Sequence, residues 1–139
     1  MVGETLERRL RAGDSEKITI NLGYVDLGHI DLMVQDGFYA NRTDFIRTAI
    51  RNQIERHAEA VRHSVARRSL AVGLSHYSRA RLEAARDSGQ PLAIEVLGLA
   101  SIASDVTPAL ARASIASVRV LGALHASAEV RAALLDRTA

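Results

Sequence analysis

The six residues Lys17 to Leu22 alternate polar and apolar side chains with a period of two. This is the period of a strand that buries one face. From this segment to Arg68 the pattern predicts no second strand, and an isolated strand leaves its backbone N–H and C=O groups unpaired. The pattern therefore predicts a strand whose pairing partner does not lie nearby in the same chain.

After Gly23 the period changes to that of a helix. Apolar residues now recur at spacings of three and four, at Leu27, Ile30, Met33 and Val34. We expect a helix of about twelve residues, with Asp26 as its N-terminal cap and Gly37 ending its last turn.

A second helix is predicted from Asn41. Asn41 is a good N-cap, and Asp44 follows near the positive end of the helix dipole. An apolar stripe runs along the helix at Ile46, Ile50, Ile54, Val61 and Val65. We expect this helix to extend to Arg68, which is longer than a small monomeric core can cover, so part of the stripe should contact another chain.

From residue 69 onward the sequence predicts three short strands, each followed by a helical segment capped by Ser78, Thr107 or Ser127. Two of these units align, one starting at Ile94 and the other 24 residues later at Val118. This repetition predicts a small, solenoid-like β/α repeat domain with parallel strands. A three-stranded α/β sandwich fits the same pattern, because two and a half repeats do not distinguish the two.

These patterns divide the chain into a basic arm (1–16), a strand-helix-helix segment with an extended second helix (17–68) and the repeat region (69–139). The repeat region is poor in charge: between Leu92 and Ser127 the charged residues are Glu95, Asp105, Arg112 and Arg119. Such a stretch is either core or a surface for self-association, and we expect it to support tetramers or larger assemblies.

Composition narrows the class of protein. The 139 residues contain no cysteine, which excludes disulfides and thiolate metal sites and fits a reducing cytoplasm. The first residues are charged where a secretory signal would be apolar. The net charge is only +2, but seven arginines face three acidic residues between Arg42 and Arg68, so positive charge collects there. A solvated helix face is the simplest explanation of that excess by itself.

No motif for catalysis is present. The sequence lacks a nucleophile elbow, a phosphate-binding loop, a dinucleotide-binding glycine pattern and a zinc-protease motif. Of the five histidines, His57 and His63 lie on different helix faces, whereas His76 and His125 could approach each other without a third ligand. We therefore expect no catalytic residues, no metal and no cofactor.

The order of a strand, a helix, a glycine turn and a helix beginning with Asn-Arg-Thr-Asp-Phe-Ile-Arg-Thr-Ala-Ile resembles the ribbon-helix-helix DNA-binding proteins, the class that includes the Arc, MetJ and CopG repressors. The resemblance rests on three features: the alternating segment 17–22, its spacing to Gly37, and the start of the second helix at Asn41. It covers about 40 residues and does not extend to the repeats. It implies an α+β fold in which the strand pairs with the same strand of a second chain, forming an intertwined dimer.

The resemblance also implies roles for particular residues. The two-stranded ribbon would enter the major groove of DNA, and Lys17, Thr19 and Asn21 would contact base edges. The start of the second helix would hold the DNA backbone through Asn41, Arg42 and Thr43, a position where unpaired N–H groups favour phosphate on physical grounds alone. The shared dimer core would contain Ile18, Ile20, Leu22, Ile30, Val34, Ile46 and Ile50.

The leading hypothesis is a cytoplasmic, bacterial, sequence-specific regulator of transcription that represses by occupying an operator in double-stranded DNA. An antitoxin that binds a toxin through its C-terminal half is one alternative, although antitoxin tails are usually charged and disordered. A DNA-organising or partition protein that polymerises through its repeats is another. Arg8, Arg9 and Arg11 of the arm could add phosphate contacts.

Overall fold

A computed structural model describes residues 15–139. It is a mixed α+β structure that divides into two compact units between Val61 and Arg62. The arm arginines Arg8, Arg9 and Arg11 lie outside the described residues. No helix in the described part of the chain is long and apolar enough to cross a membrane.

The first helix, α1, spans Tyr24–Gln35. Its N-cap is Gly23, which forms no side-chain cap, so the prediction that Asp26 caps this helix is wrong. Asp26 instead lies in the first turn, where its charge still favours the helix dipole. The predicted end is confirmed: Gly37 has a φ of 84°, and the Phe38 N–H donates to the Met33 carbonyl at 3.0 Å, closing the turn.

The second helical segment is divided into α2, Arg42–Arg56, and α3, Ala58–Arg68. The break lies at His57, whose N–H donates to the Ile54 carbonyl at 3.1 Å, one residue closer than in a regular α-helix. The predicted stripe is therefore carried by two helices. Ile54 is 61% exposed and Val61 is 40% exposed.

The C-terminal region contains a three-stranded parallel sheet in the order β1-β2-β3. The strands are β1, Ala71–Tyr77, β2, Leu92–Ile102, and β3, Ile115–His125. A short helix follows each strand: α4, Arg79–Asp87, α5, Pro108–Ser114, and α6, Ala128–Ala133. A 3-10 helix, Leu135–Arg137, comes after α6.

Each of these three helices begins with the cap that the sequence predicts. The side chains of Ser78, Thr107 and Ser127 each accept a hydrogen bond from the backbone N–H three residues later, at 3.2 Å. The strand register also follows the internal repeat, since Ile94 pairs with Val118 and the same offset continues from Ala93 to His125. The repeated sequence is thus expressed as repeated strand-helix units lying side by side.

The core of this unit lies on one face of the sheet, between the strands and the helices. Alternate residues of β2 contribute to it, together with Leu82 of α4 and Leu110 of α5, and all are nearly inaccessible to solvent. The core residues of β2 are Ile94, Val96, Ala100 and Ile102. Burying a large aliphatic side chain stabilises a fold by about 1.5–3 kcal/mol, so this face supplies most of the stability of the unit.

A row of glycines crosses the sheet at one register. Gly73 pairs with Gly98, which pairs with Gly122, and all three have positive φ, at 113°, 137° and 123°. A Cβ atom on Gly98 would overlap the carbonyl oxygen of Gly73, and one on Gly122 would overlap that of Gly98. The close passage of the strands therefore requires glycine both for space and for conformation.

We predict that Gly98→Ala strongly destabilises the sheet. The matched control is Gly89→Ala, since Gly89 has a φ of 68° but has open space around its Cβ position. The control should lose about 1–2 kcal/mol of stability, which is the cost of placing an alanine in the left-handed conformation. Gly98→Ala should lose more, because its Cβ atom also overlaps the Gly73 carbonyl oxygen. Thermal unfolding of the full chain measures both; equal losses would show that the overlap is relieved at no cost.

Candidate nucleic-acid interface

The segment predicted to be a strand, residues 17–22, belongs to no helix or strand in the single chain. Its polar side chains Lys17, Thr19 and Asn21 are all exposed. Within residues 15–139 no strand pairs with it, so its backbone groups are available for hydrogen bonds to another molecule. The structure thus leaves the three predicted base-reading residues accessible.

The apolar side chains of the same segment are exposed as well. Ile18 is 73% exposed and Ile20 is 57% exposed, values far from those of core residues. Beside them is an apolar groove of about 430 Å³. Its lining comes from the segment, α1 and α2: Ile20, Leu22, Asp26, His29, Ile30, Phe45, Ile46, Ala49 and Ile50.

The predicted dimer core is only partly covered in the single chain. Ile30 is buried, Val34 and Ile46 are half-buried, and Ile50 is 48% exposed. Six of these seven residues therefore keep accessible apolar surface, including Leu22 of the extended segment. Five of the seven line the groove: Ile20, Leu22, Ile30, Ile46 and Ile50.

The start of α2 has the geometry of an anion site. The Asn41 side chain accepts from the Asp44 N–H at 2.8 Å, and the Asp44 carboxylate accepts from the Ala40 N–H at 2.9 Å. The N–H groups of Arg42 and Thr43 have no acceptor within the described part of the chain. These two donors lie at the positive end of the helix dipole, where a phosphate oxygen is favoured.

The Arg42 side chain already has a partner, Asp31 of α1. Its Nε donates to Asp31 Oδ1 and its Nη2 to Asp31 Oδ2, both at 2.8 Å. These hydrogen bonds lower the pKa of Asp31 below its ordinary value of 3.8 and raise that of Arg42. The fork ties α1 to α2 and holds the Arg42 guanidinium on Asp31.

The positive charge predicted for this part of the chain is largely unpaired. Of the seven arginines between Arg42 and Arg68, Arg42 is the one that forms an ion pair among the described residues. The other six are exposed. This charge is available to attract a polyanion, although helix starts and arginines alone do not identify one.

The histidines do not converge on a metal site. No group of three or more metal-ligating side chains lies together among residues 15–139. His76 and His125 share one row of the sheet, but Ser101 of the middle strand lies between them. The His76 Nδ1 is 3.3 Å from the Ser101 hydroxyl. Two strand spacings, about 10 Å, separate the two histidine positions.

Three features lie close together along the chain: the exposed polar side chains of segment 17–22, the uncovered apolar groove, and the start of α2 with its free N–H groups. Together they define a candidate DNA-contacting module. A sequence model of the ribbon-helix-helix transcriptional regulator family matches residues 13–131. The chain belongs to this family, which makes it a DNA-binding regulator of transcription and implies dimerisation in general. No curated protein and no solved structure matches the chain.

The extent of the match corrects one expectation. The resemblance seen in the sequence covers about 40 residues, whereas the family match extends through β1, β2 and most of α6. The prediction that the resemblance stops before the repeats is therefore wrong. The parallel sheet belongs to the pattern that defines the family.

Asp31 is the residue of this region that the sequence did not single out. It lies eleven residues before Arg42, beyond the spacings at which side chains on one helix meet. The feature of the sequence that points to Asp31 is its carboxylate, on the exposed side of the first predicted helix. Only the turn between α1 and α2, which folds one helix against the other, reveals its partner.

We predict that Asp31→Asn lowers the thermal stability of the chain near neutral pH. Because the pKa of Asp31 is lowered in the folded state, its ion pair contributes fully above pH 3.8 and is lost as the pH falls through the lowered value. The difference in Tm between the variant and the natural chain should therefore vanish in strong acid, and shrink in high salt. Asp36→Asn, which removes a charge from the end of the same helix, is the control; an equal loss there would exclude a specific role for the fork.

Proposed function

We propose that this protein is a cytoplasmic, dimeric repressor that recognises a specific sequence in double-stranded DNA with a two-stranded β-ribbon. The observation that carries the proposal is the segment 17–22, whose polar residues and apolar residues are both exposed in the single chain. Pairing of this segment with a second chain explains the exposure of both sets of residues, because the second chain would cover the apolar side and leave the polar side free.

The ribbon is formed by the same segment of two chains. Each segment supplies the backbone partner that the other lacks, and antiparallel pairing of identical segments satisfies the two-fold symmetry of a homodimer. Ile18 and Ile20 of each chain then cover the groove of the other chain, in which Ile46 and Ile50 lie. Fully covering four such side chains stabilises the dimer by several kcal/mol at about 1.5–3 kcal/mol each, which supports the intertwined arrangement.

Sequence recognition is assigned to the polar side of the ribbon. The major groove accepts a two-stranded ribbon and presents a distinct pattern of donors and acceptors for every base pair. Lys17 can donate to guanine, Asn21 can both donate to and accept from adenine, and Thr19 offers a hydroxyl and a methyl group. A palindromic operator follows from the symmetry of the dimer.

Backbone contacts are assigned to the start of α2. The free backbone N–H groups of Arg42 and Thr43 and the cap at Asn41 hold a phosphate, and the guanidinium N–H groups of Arg42 that Asp31 does not accept from add to this. Such contacts set affinity and register, whereas the ribbon sets the preference for sequence.

The sheet unit is assigned to assembly beyond the dimer, into tetramers or larger species through residues 92–127. Support comes from the low charge of this stretch and from the exposed apolar residues of the sheet. The antitoxin alternative is less favoured, because residues 62–139 form a compact unit and not an extended tail.

We predict different losses of DNA binding for ribbon and helix-start variants. Thr19→Ala or Asn21→Ala should each weaken binding to the selected operator by about 1–3 kcal/mol and relax the preference at particular base pairs. Arg42→Ala should weaken binding to all sequences alike and reduce the dependence on salt. Titrations of operator and random duplexes over a series of salt concentrations separate the two effects.

The control for Asn21→Ala is Asn52→Ala, since Asn52 is exposed on α2 away from the ribbon and the helix start. It should bind both duplexes like the natural chain. If the variants at Thr19, Asn21 and Arg42 lost affinity equally on operator and random DNA, the division between reading and clamping would be refuted.

We further predict that a chain ending at Arg68 is a dimer, whereas the full chain forms tetramers or larger species. Sedimentation at several protein concentrations gives both masses. Identical oligomeric states for the two chains would remove the assembly role of the sheet unit.

A further inference from the structure

The parallel sheet has a second face, which we call the outer face: the side of the strands opposite the core. Alternation along each strand places one row of apolar residues there, Val72, Leu97 and Leu121, and next to it a second row, Leu74, Leu99 and Ala123. Five of these six keep accessible surface, whereas Leu99, in the middle strand, is 7% exposed.

The outer face is uncovered at its edges. Val72 is 69% exposed, Leu74 is 43% exposed and Leu121 is 46% exposed. Parallel sheets are almost always covered on both faces, since their strands are apolar on both sides. The described part of this chain covers only one face fully, which indicates that another molecule covers the second.

The rows of the outer face are symmetric about the glycine row. On one side of the two apolar rows lie Glu95 and Arg119, and on the other side lie His76, Ser101 and His125. Both polar rows are the same number of residues away from Gly98. A surface that is polar, apolar, apolar and polar in this order is complementary to itself when turned by a two-fold axis that runs across the strands at Gly98.

We propose that the outer face packs against the outer face of a second copy and so joins two dimers into a tetramer. The two-fold axis sets the row of Val72 against the row of Leu74 of the other copy. It also sets the Glu95 carboxylate opposite the Ser101 hydroxyl, with the imidazoles of His76 and His125 beside it. This proposal rests on the assembly role given above to the sheet unit and specifies its surface.

The size of the face favours a tetramer over a simple pair. Three strands about 4.8 Å apart and four rows about 6.8 Å apart give a face of about 400 Å² per copy. One pair of faces is smaller than a standard stable interface, which buries about 1,600 Å² in total. Two dimers that contact through both of their sheets bury about that much, and the second contact forms at high effective concentration.

The first test is Leu121→Lys in the full chain. The side chain is half exposed and lies outside the core, so folding and thermal unfolding should be little changed, whereas the mass should fall from four chains to two. Leu135→Lys is the matched control, because Leu135 is 74% exposed in the 3-10 helix and not on the sheet. It should remain tetrameric.

The second test uses the absence of cysteine from the chain. Ala123→Cys should be linked between copies by a bismaleimide reagent about 12 Å long, since sheets pack about 10 Å apart. Ala132→Cys, exposed on α6, provides the control and should not be linked. Efficient linkage at Ala123 together with dimers for Leu121→Lys supports the proposal.

Other outcomes overturn it in distinguishable ways. A natural full chain that is only dimeric refutes the assembly role and with it the outer-face contact. If Leu121→Lys still forms tetramers and Ala123→Cys is not linked between copies, the sheet unit keeps its assembly role but the outer face is refuted as the contact surface. Binding to random duplex DNA, measured on the same variants, should be retained by the Leu121→Lys dimer; failure of the natural chain to bind would refute the DNA-binding function independently of assembly.

Discussion

Backbone pairing is the constraint on which the rest of this protein depends. The segment Lys17 to Leu22 has the residues of a strand and no strand beside it among residues 15–139. Its isoleucines lie next to an apolar groove that α1 and α2 line without filling. A chain in this state is stabilised by association, because covering the apolar surface is favourable and a second strand pairs with the backbone groups as they are removed from water. Membership of a dimerising family agrees with this requirement.

The same principle operates in the second unit, with a different outcome. There the strands find their partners within the chain, with β2 paired on both sides, and the uncovered apolar part is a face. Close passage of the strands depends on Gly98 and Gly122, whose lack of a Cβ leaves room for the neighbouring carbonyl oxygen, and Gly73 shares their positive φ. The three short helices then cover one side of the sheet, and their serine and threonine caps begin each one in the same way.

Charge is arranged differently in the two units. In the first, Asp31 and Arg42 connect two helices, and no ion pair between residues 15 and 139 involves the other arginines of α2 and α3. In the second, Arg112 pairs with Asp136, and Arg137 donates to the Ile115 carbonyl at 2.6 Å, so arginines fasten the last residues to the end of α5. Arginine thus serves as a structural tie in both units, at Arg42 in the first and at Arg112 and Arg137 in the second.

Periodicity in the sequence was enough to predict three strands in the sheet unit, each followed by a capped helix, and the offset of 24 between its repeats is the register of β2 on β3. It also identified the caps at Asn41, Ser78, Thr107 and Ser127, because capping depends on contacts within four residues. The base-reading roles of Lys17, Thr19 and Asn21 remain predictions that come from a resemblance.

What required the tertiary structure were the contacts between distant residues. The Asp31 fork and the overlap that makes Gly98 necessary depend on how elements approach each other, which no local spacing records. The outer face is a further case: apolar alternation is visible in each strand, but only the register shows that the polar rows lie symmetrically about the glycines. Local hydrogen bonds and periodicity are properties of neighbouring residues, whereas a surface is a property of strands brought together from fifty residues of chain.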